Sequence, residues 1–339
     1  MRKPVVMVTG ANGEIGQRLI ERLSGDAETD IIALDLHPMS AALASRCVAT
    51  FVGDILDDNL LQRIVSEYAI HTVFHLAALL STRAEYTPFA AHRVNVGGTL
   101  KLLNLAADQA RRDGTPVKFV FPSSIAIYGL PDLATKHAAG RVREGDFNAP
   151  TTMYGCNKLY CEHLGRYYMH HFGQLNSNFR PSGVDFRAIR FPGLISAVTV
   201  PSGGTSDFGP EMVHMAASGQ SYACFVPEAA QIPFMAMPDG VEALLALAAA
   251  PRAQLGQETY NITAFSMSAA GFRDRVVDAF PGAQVTFEVH HARSRIIDTW
   301  PLDVDDTPAR NDWGWQPKYD ADATFDDYLL PTLMALTHR

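Results

Sequence analysis

The chain has 339 residues, of which 47% are apolar, and its 28 basic and 36 acidic side chains give a net charge of −8. That length and apolar content allow a large buried core. The acidic balance, with no cluster of basic residues, argues against a nucleic-acid partner. The most apolar later stretch, 243–250, is too short for a membrane helix, so no membrane partner is predicted.

The cysteines and histidines exclude two further classes of site. The four cysteines are scattered and include no Cys-x-x-Cys pair, which is typical of the reduced cytoplasm. None of the twelve histidines belongs to a ligand-spaced cluster. The first ten residues run into a glycine loop without the pattern of a cleaved signal. We therefore expect a cytoplasmic protein without a metal site.

The first 190 residues alternate short β-branched or apolar runs with longer amphipathic stretches, as parallel β-α-β units do. Right-handed crossovers wind such units into an open, doubly wound sheet that helices cover on both faces. Strands are predicted at 5–9, 31–35, 47–52, 72–76, 118–122 and 184–190, and helices at 13–23, 57–68, 90–111 and 154–168.

The pattern changes after residue 192, where segments rich in Gly, Pro and Ser alternate with short helices. This texture predicts a smaller second lobe. A helix and a strand within 241–263 are expected to return to the first lobe. The predicted domains are 1–192 with 241–263, and 193–240 with 264–339; 131–150 and 173–183 are expected to be surface excursions.

A glycine motif, Gly10-x-x-Gly13-x-x-Gly16, follows the first strand and opens the first helix. Glycines there let the backbone turn tightly and approach a pyrophosphate at the helix N-terminus. Asp35 ends the second strand, where a carboxylate accepts hydrogen bonds from the adenosine ribose and repels a 2′-phosphate. The pattern therefore predicts NAD rather than NADP as the cofactor.

Three later positions extend this cofactor site. Asp54 follows the third strand and is placed to meet the adenine. The segment Leu76-Ala77-Ala78 supplies small residues after the fourth strand, where the backbone must pass close to the cofactor. Asn95 lies in the next long helix and is expected to hold backbone or water near the active site.

A hydroxyl, a phenol and an ammonium form the predicted catalytic group. Tyr154-x-x-x-Lys158 puts phenol and ammonium one helical turn apart on one face. Lys158 is expected to lower the pKa of the phenol and to bond the nicotinamide ribose, while Tyr154 exchanges a proton with a substrate hydroxyl. Ser124, at the end of the fifth strand, is expected to hold that hydroxyl in line.

Together these motifs resemble the extended form of the short-chain dehydrogenase/reductase superfamily over essentially the whole chain. The resemblance implies a Rossmann-type doubly wound parallel sheet with a smaller C-terminal α/β substrate lobe, a tightly bound NAD, and a homodimer built on a four-helix interface. The residues that carry it are Thr9, Gly10, Gly13, Gly16, His75, Leu76, Ala77, Ala78, Pro122, Ser123, Ser124, Tyr128, Gly129, Tyr154 and Lys158. By the same resemblance, further cofactor contacts are Asn12, Glu14, Ile15, Ile55, Phe191 and Pro192.

Most enzymes of the extended group act on nucleotide sugars, and two departures argue against that substrate class. Nucleotide-sugar dehydratases generally carry an acidic pair after the catalytic hydroxyl, where this chain has Ile125-Ala126. Nucleotide-sugar epimerases usually have Arg-Tyr-Phe-Asn after the sixth strand, whereas residues 190–193 read Arg-Phe-Pro-Gly. The Asn that faces the diphosphate is therefore missing.

Several segments instead look like the short-chain type of L-threonine 3-dehydrogenase: 190–196, 203–208, 259–262, 299–301 and 305–315. This resemblance implies NAD-dependent oxidation of a small β-hydroxy-α-amino acid, L-threonine to 2-amino-3-ketobutyrate. A small substrate needs only a few convergent polar groups. The implied substrate contacts are Ser81, Ser124, Tyr154, Gly193, Thr205 and Ser206.

Two positions depart from that family. Its Gly-Gly-Gly-Thr-Thr-Asp-Tyr pattern appears here as Ser-Gly-Gly-Thr-Ser-Asp-Phe at 202–208, and an arginine usual before a Leu-Pro pair is replaced by Gln231. The alternatives are a dehydrogenase of another small hydroxy acid and a nucleotide-sugar epimerase. A dinucleotide-sensing protein without activity is disfavoured because Ser124, Tyr154 and Lys158 are all present.

Overall fold

The structure is a computed structural model that describes residues 3–201 and 204–337. The described chain divides into two compact units that interleave along the sequence. The first is drawn from Met1–Ser123, Asn157–Ile189 and Leu244–Thr259, and the second from Ser124–Cys156, Arg190–Ala243 and Tyr260–Arg339.

Strands and helices alternate through the first half of the chain. The strands are β1 Lys3–Thr9, β2 Ile31–Asp35, β3 Ala49–Val52, β4 Tyr68–His75, β5 Val117–Ser124, β6 Arg141–Val142, β7 Val184–Phe191, β8 Gly193–Ile195, β9 Tyr222–Cys224, β10 Gln231–Ala236, β11 Thr259–Asn261, β12 Phe265–Ser268, β13 Val285–Phe287 and β14 Asp303–Val304. The α-helices are α1 Glu14–Leu23, α2 Ala41–Ala44, α3 Asp58–Glu67, α4 Ser81–Tyr86, α5 Pro88–His92, α6 Thr99–Asp113, α7 Leu133–Ala139, α8 Met153–His170, α9 Phe208–Ala217, α10 Met237–Ala249, α11 Ala269–Ala279, α12 His291–Asp298, α13 Thr307–Trp313, α14 Ala321–Ala323 and α15 Leu330–Thr337. Two π-helical segments, Arg93–Gly98 and Thr324–Leu329, precede α6 and α15.

A seven-stranded sheet organises the first unit, in the order β3-β2-β1-β4-β5-β7-β11. The pairs β1/β2, β2/β3, β1/β4 and β4/β5 are all parallel. The chain runs outward from β1 to β3 and then crosses back to β4, so the order reverses between β1 and β4. In open α/β sheets, ligands bind at the carboxyl ends of strands where the order reverses.

The core of the first unit lies on both faces of this sheet. Apolar side chains from the strands pack against helices such as α3 and α6, and Phe119 stacks on Phe186 with ring centroids 6.0 Å apart. Because these strands are covered on both faces, they read as nearly continuous apolar runs. Val73, Phe119 and Phe186 have no accessible surface at all.

The second unit contains three small sheets, with strand orders β12-β10-β8, β13-β9 and β14-β6. Its core is aromatic. Phe208 and Phe234 meet edge to face at 5.5 Å, and Phe234 and Phe272 at 4.8 Å. Edge-to-face packing is the favoured arrangement for such pairs. These contacts join α9 and α11 to β10.

The predicted α/β fold is confirmed, and all six predicted strands occur, 31–35 with the same ends and the other five with shifted ends. The predicted 90–111 helix is interrupted, since α5, a π-helical turn and α6 follow one another there. The predicted excursion 131–150 contains α7 and β6, whereas 173–183 holds neither helix nor strand.

The predicted domain bounds differ from the two compact units over three short stretches, 190–192, 241–243 and 260–263, which group with the second unit, and over one long segment. Residues 124–156, predicted in the first domain, group with the second unit. The assignment of one domain to cofactor and the other to substrate stays a prediction. Within 3–201 and 204–337, no helix is both long and apolar enough to cross a membrane.

Candidate active site

The glycine loop leaves no space for side chains at its two ends. Gly10 has a φ of +66°, and a Cβ there would lie 2.7 Å from the Ala77 nitrogen. A Cβ on Gly16 would lie 2.5 Å from the Gly10 oxygen. Gly13 is the N-cap of α1 and supplies no side-chain cap. α1 therefore begins without a side-chain cap, as do helices whose N-termini bind a pyrophosphate.

Asp35 lies at the end of β2, beside this loop. Its Oδ2 accepts the Asn12 N–H at 2.9 Å, and its Oδ1 accepts the His37 N–H at 3.0 Å. These bonds fix the carboxylate, and each oxygen keeps a further lone pair for a ribose hydroxyl. The glycine backbone and this carboxylate fit a dinucleotide with an unphosphorylated 2′-hydroxyl.

Asp54 and Ile55 make local contacts in the first unit. Asp54 Oδ1 accepts the Leu56 N–H at 2.9 Å. Ile55 is buried, and its Cδ1 occupies the space where a side chain on Gly98 would begin, 2.3 Å from that Cβ position. Their contact with the adenine stays a prediction.

Asn95 lies in the π-helical turn before α6 and fixes the backbone after β4. Its Oδ1 accepts the Leu79 N–H at 2.7 Å, and its Nδ2 donates to the Leu79 oxygen at 3.0 Å. Because an amide can pair with one residue in both directions, the Leu76–Leu79 segment is held in place. That segment contains Ala77, whose nitrogen faces Gly10.

His75 at the end of β4 supports the same segment, a role that its motif alone did not indicate. The imidazole is 1% exposed, and burial, with the Lys158 charge, lowers its pKa to about 3. Nδ1 lies 2.8 Å from Thr9 Oγ1 and Nε2 lies 3.0 Å from Thr99 Oγ1. Since Thr99 donates its own proton to Asn95 O, Nε2 carries the imidazole proton and Nδ1 accepts from Thr9.

Lys158 projects from α8 toward the end of β5. Its Nζ donates to the Pro122 oxygen at 2.6 Å and lies 4.4 Å from the centre of the Phe121 ring. Burial lowers the pKa of Lys158 to about 8, and the Cys161 and Glu162 side chains oppose that shift. The ammonium is thus held by a carbonyl, an aromatic face and nearby negative charge.

Glu162 is a buried residue of this site that the sequence did not single out. It lies one turn beyond Lys158 on α8, and its Oε1 accepts the Ser123 hydroxyl at 2.5 Å. It is 6% exposed. The spacing of these residues could have indicated Glu162 from the sequence. Tyr154, Lys158 and Glu162 follow one another at intervals of four, so they lie on one face of the helix.

Ser124 and Tyr154 lie in the second unit. Ser124 Oγ accepts the Ala126 N–H at 3.1 Å and so caps the 3₁₀ turn Ile125–Ile127. Tyr154 is half-buried in the first turn of α8, and burial raises the pKa of its phenol. A Cβ on the neighbouring Gly155 would lie 2.0 Å from the Ala126 oxygen. The start of α8 is thus packed tightly against the turn that Ser124 caps.

Phe191, Pro192 and Gly193 are buried, and they lead from β7 into β8. Gly193 pairs in parallel with Phe234 of β10, and a Cβ there would lie 2.7 Å from the Phe234 ring. The preceding Arg190 donates to Tyr128 Oη at 2.9 Å. Close packing therefore sets the course of this segment, and its cofactor and substrate contacts stay predictions.

Tyr128 is the centre of a buried polar network that the sequence did not reveal. Its hydroxyl donates to Asn261 Oδ1 at 2.7 Å and accepts from Arg190 Nη1. Burial raises the pKa of Tyr128 to about 12, although the Arg190 charge opposes that shift. Residues far apart in the sequence meet here, so local patterns cannot predict the network.

The predicted substrate loop is described from Gly204 onward; Ser202 and Gly203 lie outside the described residues. Thr205 is buried and Ser206 is half-buried. Asp207 Oδ2 accepts the Gly204 N–H at 2.5 Å, which closes the loop into a turn before α9. This hydrogen bond fixes the shape of the loop over residues 204–207.

Gln231 and Ser81, which the resemblance to threonine dehydrogenases singled out, each lie at the start of a secondary-structure element. Gln231 begins β10, and its Nε2 donates to Ser266 Oγ at 2.9 Å. Ser81 is half-buried and begins α4.

The predicted site residues divide between the two units. The first unit carries Gly10, Asn12, Gly13, Glu14, Ile15, Gly16, Asp35, Asp54, Ile55, Leu76, Ala77, Ala78, Ser81, Asn95 and Lys158, and the second carries Ser124, Tyr154, Phe191, Pro192, Gly193, Thr205 and Ser206. In the part of the chain that the structure describes, no group of three or more His, Cys, Asp or Glu side chains is placed to hold a metal ion.

Comparison with known proteins agrees with these motifs. A family model described as the NAD dependent epimerase/dehydratase family matches residues 6–263. The mitochondrial L-threonine 3-dehydrogenase of Bos taurus is 32% identical over 325 residues, which cover 93% of this chain and 79% of that protein. An uncharacterized epimerase/dehydratase of Staphylococcus aureus is 32% identical over 317 residues, covering 93% of this chain and 92% of that protein. The apo structure of a monomeric L-threonine 3-dehydrogenase from a metagenome database has a TM-score of 0.85 at 33% identity, covering 98% of this chain and 99% of that one.

Proposed function

The chain belongs to the NAD-dependent epimerase/dehydratase family, and we propose that it oxidises the 3-hydroxyl of L-threonine to give 2-amino-3-ketobutyrate. The observation that carries this proposal is the similarity to threonine dehydrogenases over 93% to 98% of the chain. The hydroxyl, phenol and ammonium that such an oxidation needs are present as Ser124, Tyr154 and Lys158. The substrate is a small molecule, and the cofactor is NAD.

In the proposed reaction, Tyr154 as phenolate takes the proton of the substrate hydroxyl, and Ser124 holds the hydroxyl oxygen in line. NAD, when bound, accepts the hydride that leaves the same carbon. Burial raises the pKa of Tyr154, so the phenolate needs a nearby positive charge near neutral pH. Lys158 supplies that charge and bonds the nicotinamide ribose. Asp35 and the Gly10–Gly16 loop hold the adenosine and pyrophosphate.

We assign recognition of the amino acid to a few small polar groups. Thr205 and Ser206 supply hydroxyls from the turn before α9, Ser81 supplies one from the start of α4, and Gly193 lets substrate approach the backbone. A few convergent groups suit a small ligand better than an extended groove. The altered 202–208 pattern and Gln231 are the positions at which selectivity among small hydroxy acids is expected to differ from that of relatives.

The test follows NADH formation with L-threonine, its stereoisomers, serine and 3-hydroxy acids, and it separately follows conversion of a UDP-sugar into its epimer, a reaction that gives no net NADH. We expect turnover of L-threonine, and we expect Tyr154→Phe to lower kcat by a factor on the order of 10² to 10⁴ while NAD still binds. If the protein converts the UDP-sugar and none of the other compounds, L-threonine is not its substrate and the nucleotide-sugar alternative is correct. Near-normal turnover by Tyr154→Phe would remove its role as the base.

We also propose a homodimer located in the cytoplasm. The first unit exposes apolar side chains on two helices, Leu100 on α6 and Tyr160 and Tyr167 on α8, which are 42%, 50% and 41% exposed. Such side chains are typical of a surface that a partner covers. The cysteines are free thiols, as expected in a reducing compartment. Among the relatives, one is named mitochondrial and one monomeric.

A further inference from the structure

The loop that carries Thr205 and Ser206 is fastened at one residue, Gly204. The Gly204 N–H donates to Asp207 Oδ2 at 2.5 Å, and the Gly204 oxygen accepts from Arg293 Nη2 at 2.9 Å. A Cβ on Gly204 would lie 2.8 Å from the Asp207 carboxylate. The loop backbone is therefore held at both the N–H and the oxygen of Gly204, and a side chain there would meet the Asp207 carboxylate.

Arg293 is itself held in a defined orientation. Its guanidinium carbon lies 3.3 Å from the centre of the Phe225 ring. A planar guanidinium that stacks on an aromatic face keeps its N–H groups pointing in fixed directions. The Glu211 carboxylate interacts with the guanidinium: burial raises the pKa of Glu211, and the Arg293 charge opposes that shift.

The position of Arg293 depends on a small strand pair outside the loop. β13 pairs in parallel with β9. The pairing extends past the two strands, because the His290 N–H donates to the Phe225 oxygen at 2.9 Å. His290 then caps α12, because its Nδ1 accepts the Arg293 N–H at 3.3 Å. Arg293 therefore lies in the first turn of a helix whose N-cap is bonded to Phe225, its stacking partner.

We propose that Arg293 is a positioning residue for substrate recognition: by holding the Gly204 carbonyl it sets the Thr205 and Ser206 hydroxyls for the amino-acid substrate. The inference rests on the proposed function, in which those hydroxyls contact the substrate. Because Arg293 touches the loop backbone, it acts through Thr205 and Ser206. Its loss is expected to weaken substrate binding and to leave NAD binding unchanged.

The experiment compares Arg293→Gln and Arg293→Lys with wild type by steady-state kinetics and by hydrogen exchange of the 204–212 peptide. For Arg293→Gln we expect KM for L-threonine to rise by about tenfold or more, with KM for NAD unchanged and faster exchange in that peptide. Arg293→Lys keeps the charge without the planar stack and is expected to recover part of the loss. Arg295→Gln, which removes an exposed arginine from the same helix, is the matched control.

The outcomes separate this inference from the proposed function. If the 204–212 peptide exchanges in Arg293→Gln as it does in wild type, or if KM for L-threonine is unchanged, Arg293 does not position the loop. If wild type oxidises no β-hydroxy amino acid, the proposed function fails, and the hydrogen-exchange comparison still decides whether Arg293 holds the loop. Equal changes in KM for L-threonine and for NAD, together with a lower Tm, would instead indicate general unfolding and overturn the positioning role.

Discussion

At the scale of single residues, the protonation state of Lys158 depends on its surroundings. Burial lowers its pKa to about 8, while Cys161 and Glu162 on the same helix act in the opposite direction. His75, the other titratable group facing it, is buried and neutral, because its own pKa is lowered to about 3. In the proposed reaction Lys158 must be charged to stabilise the Tyr154 phenolate, so we expect activity to fall as pH rises through the pKa of Lys158.

Glu162→Gln tests this dependence. Glutamine retains an oxygen that accepts the Ser123 hydroxyl, and only the negative charge is lost. Without that charge the pKa of Lys158 falls further, so the alkaline limb of the kcat/KM profile moves to lower pH. We expect a several-fold loss of kcat/KM at about pH 9 and little change near pH 7.

The control for this prediction is Ser123→Ala, which removes the hydrogen bond and keeps the carboxylate. Its alkaline limb is expected to coincide with that of wild type. If the alkaline limb of the kcat/KM profile of Glu162→Gln coincides with that of wild type, the Glu162 charge has no influence on the reaction. Activity lost equally at every pH would point to a structural role for Glu162.

At the scale of elements, residues whose partners lie close in sequence were predictable, and those with distant partners were not. The helix period alone places Tyr154 and Lys158 on one face of α8, and β-α-β alternation alone predicts an open parallel sheet. Arg187 had no such signal. Its buried guanidinium donates to the oxygens of Leu247, Ala248 and Ala250 at the end of α10, about sixty residues further along the chain.

The same limit applies to the interrupted helix before α6. Its apolar period predicts a continuous helix over 90–111, yet Asn95 lies in a π-helical turn and bonds Leu79. Such turns form where a tertiary contact offsets the cost of displacing one backbone hydrogen bond of the helix, and they are frequent at functional sites. A repeating apolar pattern contains no information about that contact.

The start of α8 offers a test at this scale. Gly155 packs against the Ala126 oxygen, and a Cβ there would lie 2.0 Å away. Gly155→Ala must therefore displace the first turn of α8, which carries Tyr154. We expect a loss of about 1–3 kcal/mol in the free energy of unfolding and a fall in kcat of about tenfold or more, measured by urea unfolding and NADH formation.

The matched control is Gly145→Ala, because nothing lies within 4 Å of a Cβ at that position. It is expected to keep the stability and kcat of wild type. NAD binding, followed by fluorescence, is expected to survive in both variants. A Gly155→Ala protein with unchanged kcat would show that the first turn of α8 tolerates displacement and that the position of Tyr154 is not critical.

At the scale of the whole molecule, the family and the α/β fold followed from motifs that each need only local sequence, and the comparisons confirm both. The sequence predicted interleaved domains through the return of 241–263 to the first, but it did not predict where 124–156 groups. The segment 124–156 connects β5 to α8 and was assigned to the first domain by continuity, but its contacts lie in the second unit. Tyr128, Arg190 and Asn261 provide some of those contacts, through bonds that join distant parts of the sequence.

Exposed apolar side chains on α6 and α8 bear on the assembly state of the protein. Tyr160 and Tyr167 are seven residues apart on α8, so they lie on one helix face, and both are exposed together with Leu100 of α6. Burying the remaining exposed area of such side chains favours the association of two chains. We expect light scattering after size exclusion to give about twice the 37.0 kDa of one chain. Tyr160→Glu with Leu100→Glu is expected to give the single-chain mass, because a carboxylate buried in such an interface has no partner. Val277→Glu, which places the same charge at an exposed apolar position on α11, is expected to keep the wild-type mass; a wild-type mass of one chain would contradict the dimer.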